Sequence, residues 1–187
     1  MKTNFLKSIR LTLVLIVVLC VIYPVMITLA GKLSKGAGHG ETISVNGKVV
    51  GYANVGQSFT KPLYFWGRPS AVAYNAAGSG GSNKGPSNPD YLKDVAKRID
   101  TLLKYHPYLK RSDIPAEMVT ASGSGLDPDI SPEAAKIQVK RVAQYRNLSE
   151  QRVAALLATH IEQPLLGLFG PAKVNVLKLN VALDELK

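Results

Sequence analysis

A run of twenty uncharged residues, from Leu11 to Ala30, lies near the start of this 187-residue chain. It reads LTLVLIVVLCVIYPVMITLA, and as a helix it would be about 30 Å long, which matches the hydrocarbon core of a bilayer. No second run of this kind follows. Because one helix cannot enclose a pore, the sequence predicts a single membrane anchor joined to one folded domain over residues 31–187.

Two other interpretations of the run stay open. A secretory signal has an apolar core of only about 7–15 residues and ends at small residues, and Thr28 and Ala30 would provide such a cleavage site. A lipoprotein signal needs a small residue before its cysteine, whereas Leu19 precedes Cys20. We expect Pro24 to kink the helix without abolishing it. The length of the run favours the membrane span.

The charges that flank the run set its expected orientation. The flanking basic residues are Lys2, Lys7 and Arg10 before the run and Lys32 and Lys35 after it. This difference slightly favours a cytoplasmic N-terminus, and the short tail is the less suitable side to translocate. We therefore predict a single-pass protein of the inner (plasma) membrane, with residues 1–10 in the cytoplasm, 11–30 in the bilayer and 31–187 in the periplasm.

The charge of the region after the run bounds its partners. Residues 31–187 hold 20 basic and 13 acidic residues, a net charge of +7. Near a membrane, a basic surface suits anionic lipid headgroups or an acidic partner, although a solvated surface is the simpler explanation. The basic residues are scattered, which argues against nucleic-acid binding. The single cysteine, Cys20, lies in the apolar run, so the domain forms no disulfide.

Three stretches after the anchor show the apolar spacing of amphipathic helices. The first covers residues 89–106, after Asn88 or Ser87 as capping residue, and the others begin at the caps Ser131 and Ser149. The residues expected to be buried are Leu92, Val95, Ala96, Ile99, Leu102 and Leu103 in the first helix, Ala135, Val139 and Val142 in the second, and Val153, Leu156 and Leu157 in the third.

Two further patterns are typical of strands. Asn46-Gly47 separates two apolar runs and predicts a hairpin over residues 43–50 with a type I′ turn. Residues 173–183, KVNVLKLNVAL, alternate like a half-buried strand, with a phase slip at Val176-Leu177 that we interpret as a bulge. The predicted fold class is α+β: a transmembrane helix, then one mixed domain with a small sheet and about three helices.

Two stretches contain almost nothing to bury. They are YNAAGSGGSNKGPSNP, residues 74–89, and TASGSGLDPDISP, residues 120–132. Loops this long in compact domains are usually functional or disordered. Helices follow both, which argues against a domain boundary. Residues 74–89 either pack within the domain or become ordered by docking to a partner.

No catalytic set is recognisable in the sequence. Neither Gly31-Lys32 nor Gly47-Lys48 is followed by the Ser or Thr of a phosphate loop, and the Gly-x-Ser-x-Gly elbow is absent. The loop serines are interpreted as turn formers: Ser79, Ser82, Ser122 and Ser124. The histidines His39, His106 and His160 are far apart, and the helical spacing places His160 in the core. Asp127-Pro128-Asp129 could hold a cation, but a turn at Asp127 is simpler.

Three long segments carry a resemblance to a known family. They are YFWGRPSAVAYNAAGSGGSNKGPSNP from Tyr64 to Pro89, TASGSGLDPDISPEAAKIQVKRVA from Thr120, and VNVLKLNVAL near the end. Together with the apolar run and the length, they resemble the C subunit of the Kdp-type potassium-transporting ATPase over essentially the whole chain. The Asp-Lys-Thr-Gly motif of a P-type pump is absent, which fits a non-catalytic subunit.

The resemblance implies an accessory subunit of a high-affinity, ATP-driven potassium import complex. Its implied partners are a channel-like potassium-binding subunit, a P-type ATPase subunit and a small one-helix subunit. One implied role is assembly and stabilisation of the complex, with the outer domain near the ion entrance. The other is a catalytic chaperone that raises the ATP affinity of the ATPase subunit. We expect no metal and no tightly bound cofactor, and ATP only jointly with the ATPase subunit.

The resemblance also suggests site residues. The chaperone role is linked to the glutamine that matches Gln138. That role conflicts with a periplasmic domain because ATP is cytoplasmic, and a solvated helix residue is the simpler interpretation. Candidate partner contacts are Arg68, Tyr74, Asn75, Ser79, Gly80, Gly81, Ser82, Asn83 and Asp127. Two other classes stay open: a membrane-anchored periplasmic serine hydrolase, which needs a base beside a loop serine, and a stand-alone binding module.

Overall fold

The N-terminal part of the chain is one long helix. The computed structural model describes residues 2–186 and divides the chain into two compact units, Met1–Thr42 and Ile43–Lys187. The helix Asn4–Gly31 contains an 18-residue window with a mean hydropathy of 2.9, and no residue of that window is buried. It is long and apolar enough to cross a membrane, as a signal sequence near an N-terminus also is.

A widened turn interrupts this helix next to its proline. The helix consists of α1 (Lys2–Val17), a π-helical turn (Val18–Ile22) and α2 (Tyr23–Gly31). Because Pro24 has no N–H group to donate, the usual bonding pattern cannot continue through it, and a π-helical turn is one way to absorb the defect. The proline does not abolish the helix, as expected. The helix starts before the apolar run and includes the basic residues that precede it, whereas Lys32 and Lys35 lie beyond its end.

The predicted hairpin is confirmed. Strands β1 (Thr42–Val45) and β2 (Lys48–Tyr52) form a two-stranded sheet. The turn residues Asn46 and Gly47 have φ angles of 51° and 77°. A type I′ turn requires positive φ at both central positions, which asparagine and glycine tolerate best.

The first predicted soluble helix is also confirmed, as α3 (Pro89–Tyr105). The Asn88 side chain accepts hydrogen bonds from the N–H groups of Asp90 and Tyr91 and so caps the helix. Ile99 and Leu102 are buried on its inner face, whereas Leu92 is exposed. Two short 3₁₀ helices follow, Arg111–Asp113 and Ala116–Met118.

The second predicted helix is split in two. Helices α4 (Pro132–Lys136) and α5 (Val139–Arg146) are separated by a turn, and α6 (Glu150–Thr159) follows. Ser131 Oγ accepts from the Ala134 N–H at 3.1 Å, as the cap prediction requires. The residues expected to be buried here are Ala135, Val139, Val142, Val153 and Leu157, all buried, and Leu156, half-buried.

The predicted strand over residues 173–183 is wrong beyond its first three residues. Strand β5 (Lys173–Asn175) ends there, and α7 (Val176–Glu185) begins at the supposed bulge. Asn175 Oδ1 accepts from the Lys178 N–H at 3.0 Å and caps the helix. The buried residues of α7 follow helical spacing: Val176, Leu177, Leu179, Asn180 and Leu183. The phase slip therefore marks a change from strand to helix.

A small antiparallel sheet organises the second unit. It has the order β3-β5-β4, with β3 at Asp129–Ile130 and β4 at Ile161–Glu162. Val174 of β5 pairs with Ile130 on one side and Ile161 on the other. The core packs α3 to α7 around this sheet, and its most buried large apolar residues are Phe65, Ile130, Val142, Val153, Val174, Leu179 and Leu183.

Candidate functional site

The two loop stretches singled out in the sequence lie against each other. We call this surface the two-loop face and define it by residues 68–83 and 122–127. The Gly80 N–H donates to the Ser124 carbonyl oxygen at 2.8 Å. The Ser79 hydroxyl donates to the same oxygen at 2.9 Å. The glycine and serine segment is therefore tied to a second loop within the domain.

Further hydrogen bonds join the two loops beside this contact. The Ser122 N–H donates to the Pro69 carbonyl at 3.0 Å, and Ser70 Oγ donates to the Gly125 carbonyl at 2.7 Å. The Gly125 N–H donates to Ser122 Oγ at 2.9 Å. These contacts support the internal-packing alternative for this part of the segment. Ser122 acts as a turn former, as the sequence predicted.

An ion pair links the two loops at their base. Arg68 Nη1 lies 3.0 Å from Asp127 Oδ2, with both side chains about three-quarters buried. Asp127 Oδ1 also accepts from the Asp129 N–H at 3.1 Å, which is the predicted turn. Asp129 in turn pairs with Lys173 at 2.7 Å. Both carboxylates of the Asp-Pro-Asp motif are thus engaged by cations of the chain itself, which favours the turn over a cation site.

Tyr74 closes the same end of the face. Its hydroxyl donates to the Arg68 carbonyl oxygen, and its N–H donates to Ser70 Oγ at 2.9 Å. Burial, with a smaller contribution from the Asp127 charge, raises the pKa of the Tyr74 hydroxyl above its usual value of 10.0. Tyr74 therefore stays a neutral hydrogen-bond donor near neutral pH.

The glycines of the face differ in how much space surrounds them. Gly125 has a φ of +68°, and a Cβ there would lie 2.6 Å from Val72 Cγ2 and 2.7 Å from the Gly80 carbonyl oxygen. A Cβ at Gly81 would lie 3.0 Å from the Gly123 carbonyl oxygen. At Gly80 the nearest atom would be 3.9 Å away. Gly125 is therefore required for the approach of the loops, whereas Gly80 is not.

The candidate contacts divide by exposure. Those that are half-buried are Arg68, Tyr74, Gly80, Gly81, Ser82 and Asp127. Those with exposed side chains are Asn75, Ser79 and Asn83. Asn75 Oδ1 accepts from the local Ala77 N–H at 3.0 Å, and the side chain remains exposed at the surface. The exposed members are the ones available to a partner.

Gln138 lies in the interior, so its interpretation as a solvated helix residue is wrong. Its side chain has no exposed surface. Gln138 Oε1 accepts from the Trp66 N–H at 2.8 Å and from Arg141 Nη2 at 2.7 Å. Gln138 Nε2 donates to the carbonyls of Trp66 at 3.1 Å and Ala134 at 3.0 Å. Both polar ends of the side chain are used within the domain.

Sequence reasoning missed the buried arginine beside Gln138. Arg141 is completely buried and donates from Nη1 to the carbonyls of Pro62 and Tyr64. Its guanidinium lies 4.2 Å from the centroid of the Trp66 ring. Burial lowers the pKa of Arg141 to about 10, so it stays charged at neutral pH. In the sequence Arg141 directly follows Lys140, and nothing there distinguishes it from a basic residue on a solvated helix face.

His106 completes this polar cluster and is the histidine of the core, whereas His160 is only half-buried. Its Nε2 accepts from Arg141 Nε at 2.9 Å, and its Nδ1 lies 2.8 Å from the Leu102 carbonyl. Burial is the main cause that lowers the pKa of His106 to about 4. The ring is therefore neutral. Its position, four residues after Leu102 on the apolar stripe, was a usable signal.

A groove of about 440 Å³ opens beside the two-loop face. Its lining joins Arg68 and Tyr74 of the face to Trp66 and to one side of α3. Most of its walls are aromatic or aliphatic, and Lys97 and Arg98 supply positive charge. The groove could receive an apolar group next to an anionic one.

The described part of the chain, residues 2–186, shows no assembled catalytic or metal centre. Within these residues, the hydroxyl groups of the four loop serines form hydrogen bonds to backbone atoms and not to a histidine. Ser124 Oγ accepts from the Leu126 N–H at 3.1 Å, so it forms a turn. Within the same residues, no group of three or more His, Cys, Asp or Glu side chains could hold a metal.

These features define a class: a protein with one candidate membrane span and an α+β domain that presents a loop surface. The comparison with known families goes further. Residues 5–185 match the family described as "KdpC: K+-transporting ATPase, c chain". The chain belongs to this family, which confirms the resemblance stated from the sequence.

Individual relatives agree with this assignment. A potassium-transporting ATPase KdpC subunit of Flavobacterium johnsoniae is 61% identical over 184 residues, which cover 98% of this chain and 99% of that protein. The KdpC subunit of Bacteroides thetaiotaomicron is 55% identical over 190 residues, with all of both chains covered. That of Caldanaerobacter subterraneus is 50% identical over 180 residues, covering 96% of this chain and 93% of the relative.

Proposed function

We propose that this chain is a non-catalytic accessory subunit of an ATP-driven potassium import complex. Its partners are a channel-like potassium-binding subunit, a P-type ATPase subunit and a small one-helix subunit. Membership of the K+-transporting ATPase c-chain family supports the complex. The two-loop face supports the accessory role, because it offers a rigid surface and not a set of reacting groups.

The observation that carries this proposal is that hydrogen bonds within the domain hold the two-loop face in place while polar side chains on it stay exposed. The hydrogen bonds of Ser79 and Gly80 to Ser124 fix the segment before any partner binds. A partner that docks there does not have to order the whole segment, which would cost roughly 1–2 kcal/mol per residue. Preorganisation of this kind favours assembly.

The proposed orientation of the chain in the membrane is based on the charges that flank the apolar helix. Residues 1–10 lie in the cytoplasm, residues 11–30 of the helix Asn4–Gly31 provide the span, and the domain is periplasmic. In this arrangement the domain has no access to cytoplasmic ATP. Gln138 then acts as a positioning residue, since it binds both the N–H and the carbonyl of Trp66, two residues before Arg68 of the face. An ATP-linked role for Gln138 stays a prediction that requires the cluster to open.

Co-purification of the complex tests this proposal. Asn75→Arg places a long charged side chain on the exposed part of the face. Gln151→Arg makes a comparable change at an exposed position of α6, outside the residues that define the face, and serves as the control. We expect Asn75→Arg to reduce recovery of the channel-like and ATPase subunits several-fold, with an unchanged melting temperature. Gln151→Arg should leave recovery unchanged. Full recovery of the partner subunits with both variants would show that the two-loop face is not the docking surface.

A further inference from the structure

The segment between β4 and β5 is the most apolar surface of the second unit. We call residues 164–170 the apolar loop. Its large side chains are exposed to 69% at Leu165, 80% at Leu166, 81% at Leu168 and 64% at Phe169. No charged residue occurs from Gln163 to Ala172. The other exposed large apolar residues of this unit occur singly or as a sequence pair, and the closest to a cluster are Val49, Val50 and Tyr52.

The apolar loop has a defined backbone conformation that its own hydrogen bonds hold. Leu165 and Phe169 form an antiparallel bridge. The N–H groups of Leu165, Gly167, Leu168 and Phe169 donate to carbonyls of the loop itself at 2.9–3.1 Å. Unsatisfied backbone groups are what normally keep loops out of lipid. Most of the N–H groups of the apolar loop are therefore already satisfied within it.

The tip turns through two residues in the left-handed conformation. Leu166 has a φ of +54° and Gly167 a φ of +72°, and this conformation is unfavourable for a residue other than glycine. The Leu166 side chain is 80% exposed and gains nothing from the core. A strained residue that holds an apolar side chain in solvent points to a contact outside the domain.

We propose that the apolar loop inserts into the boundary between headgroups and acyl chains of the bilayer in which the chain is anchored. Its side chains are Leu and Phe, without the Trp, Tyr or Arg that dominate protein–protein hot spots. From Pro164 to Ala172 no side chain can form a hydrogen bond, whereas protein interfaces normally carry such groups. The side chains of the apolar loop are therefore better suited to burial in lipid than to an interface with another protein.

The short linker to the membrane anchor and the positive charge of the domain also favour lipid as the partner of the apolar loop. The ten residues between Gly31 and Thr42 can span at most about 36 Å, so an inserted helix confines the domain to the neighbourhood of the membrane. The net charge of +7 over residues 31–187 favours an anionic lipid surface. The inference rests on the membrane anchor and not on docking to the other subunits.

Depth-dependent quenching tests the proposal on the full chain. In a Cys20→Ala background, which removes the only cysteine, Leu168→Cys and Leu92→Cys receive an environment-sensitive dye. Leu92 is the matched control, because it is an exposed leucine on α3. The proteins are reconstituted into vesicles of phosphatidylethanolamine and phosphatidylglycerol that contain spin-labelled lipid.

We expect a blue-shifted emission at position 168 and quenching by shallow spin labels several-fold stronger than at position 92. Absent quenching, or equal quenching at both positions, would overturn the proposal. A label at 168 that becomes shielded only when the partner subunits are added would assign the loop to a protein interface instead. Failure of the chain to float with the vesicles would overturn the anchor together with the loop proposal.

Discussion

At the scale of single residues, the buried cluster around Arg141 is the least expected feature. Its hydrogen-bond partners are carbonyl oxygens, an amide and an imidazole, all neutral. A buried cation without a carboxylate is costly unless its donors are satisfied and its charge is spread. Stacking on Trp66 and hydrogen bonds to three chain segments meet this requirement. The cluster joins residues 62–66 to α5.

His106 makes this cluster sensitive to acid. Its pKa is about 4 in the folded chain and about 6.5 when unfolded. Between these values the unfolded state binds more protons, so stability is present above about pH 6.5 and is lost as pH falls toward 4. We expect a loss on the order of 3 kcal/mol from this group. Thermal unfolding of the full chain in detergent, followed through the single Trp66, measures it.

The control for this prediction is His106→Gln, whose amide oxygen can still accept from Arg141. This variant should melt at a lower temperature but show a shallower loss of stability between about pH 6.5 and 4 than the wild type. His160→Gln should keep the wild-type slope. Parallel slopes for wild type and His106→Gln would contradict the assignment.

The glycines of the two-loop face allow a second residue-scale prediction. Gly125→Ala should destabilise the chain by more than about 1 kcal/mol, because it combines a left-handed φ with close contacts to Val72 and Gly80. Gly80→Ala should change stability by less than about 1 kcal/mol, since its Cβ has space. Melting temperatures of the two variants check this. An equal loss for both would mean that the loops are not packed as described.

At the scale of elements, the junction of β5 and α7 shows how a local pattern misleads. Residues 173–183 alternate apolar and polar side chains, yet only Lys173–Asn175 is strand. Val176, Leu179 and Leu183 are also spaced for a helix, and all are buried. The Asn175 cap and the packing of this apolar face decide in favour of the helix.

Asn175 has two functions at this junction, and their loss is measurable. Its Oδ1 caps α7, and its Nδ2 donates to the Ala53 carbonyl at 2.7 Å. Asn175→Ala should cost about 1–3 kcal/mol, because it removes the cap and leaves a buried carbonyl without its donor. Ser149→Ala removes only the cap of α6 and should cost about 1 kcal/mol. Equal unfolding free energies for the two variants would contradict the second function.

At the scale of the whole molecule, the two units are built on different principles. Asn4–Gly31 exposes its apolar residues on all sides, as expected of a helix whose solvent is lipid. The second unit buries most of its apolar residues around the sheet, and the apolar loop at residues 164–170 is the main exception. The proposed function assigns anchoring to the first unit and docking to the second.

The orientation in the membrane can be measured directly. Asp100 is exposed on α3, and Asp100→Cys in the Cys20→Ala background provides one accessible thiol. If the domain is periplasmic, a membrane-impermeant maleimide should label it in intact spheroplasts as strongly as after lysis. Labelling that appears only after lysis would place the domain in the cytoplasm and restore direct access to ATP.

The sequence alone determined the features that depend on neighbours along the chain. These are the apolar helix, the hairpin turn at Asn46-Gly47, the caps at Asn88, Ser131 and Ser149, and the turn at Asp127. Each depends on residue types within a few positions of one another, whose backbone preferences act before the chain folds. The quoted family segments likewise identified the family, which the comparison confirms.

Only the tertiary structure decided how distant segments meet. The bond from Ser79 to Ser124 spans 45 residues, and that from Trp66 to Gln138 spans 72. No periodicity encodes such pairs, so the internal packing of the two loops and the burial of Gln138 and Arg141 had no local signature. The same holds for α7, because alternation and helical spacing coexist there. Burial against the sheet selected the helix, and burial is a property of the folded chain.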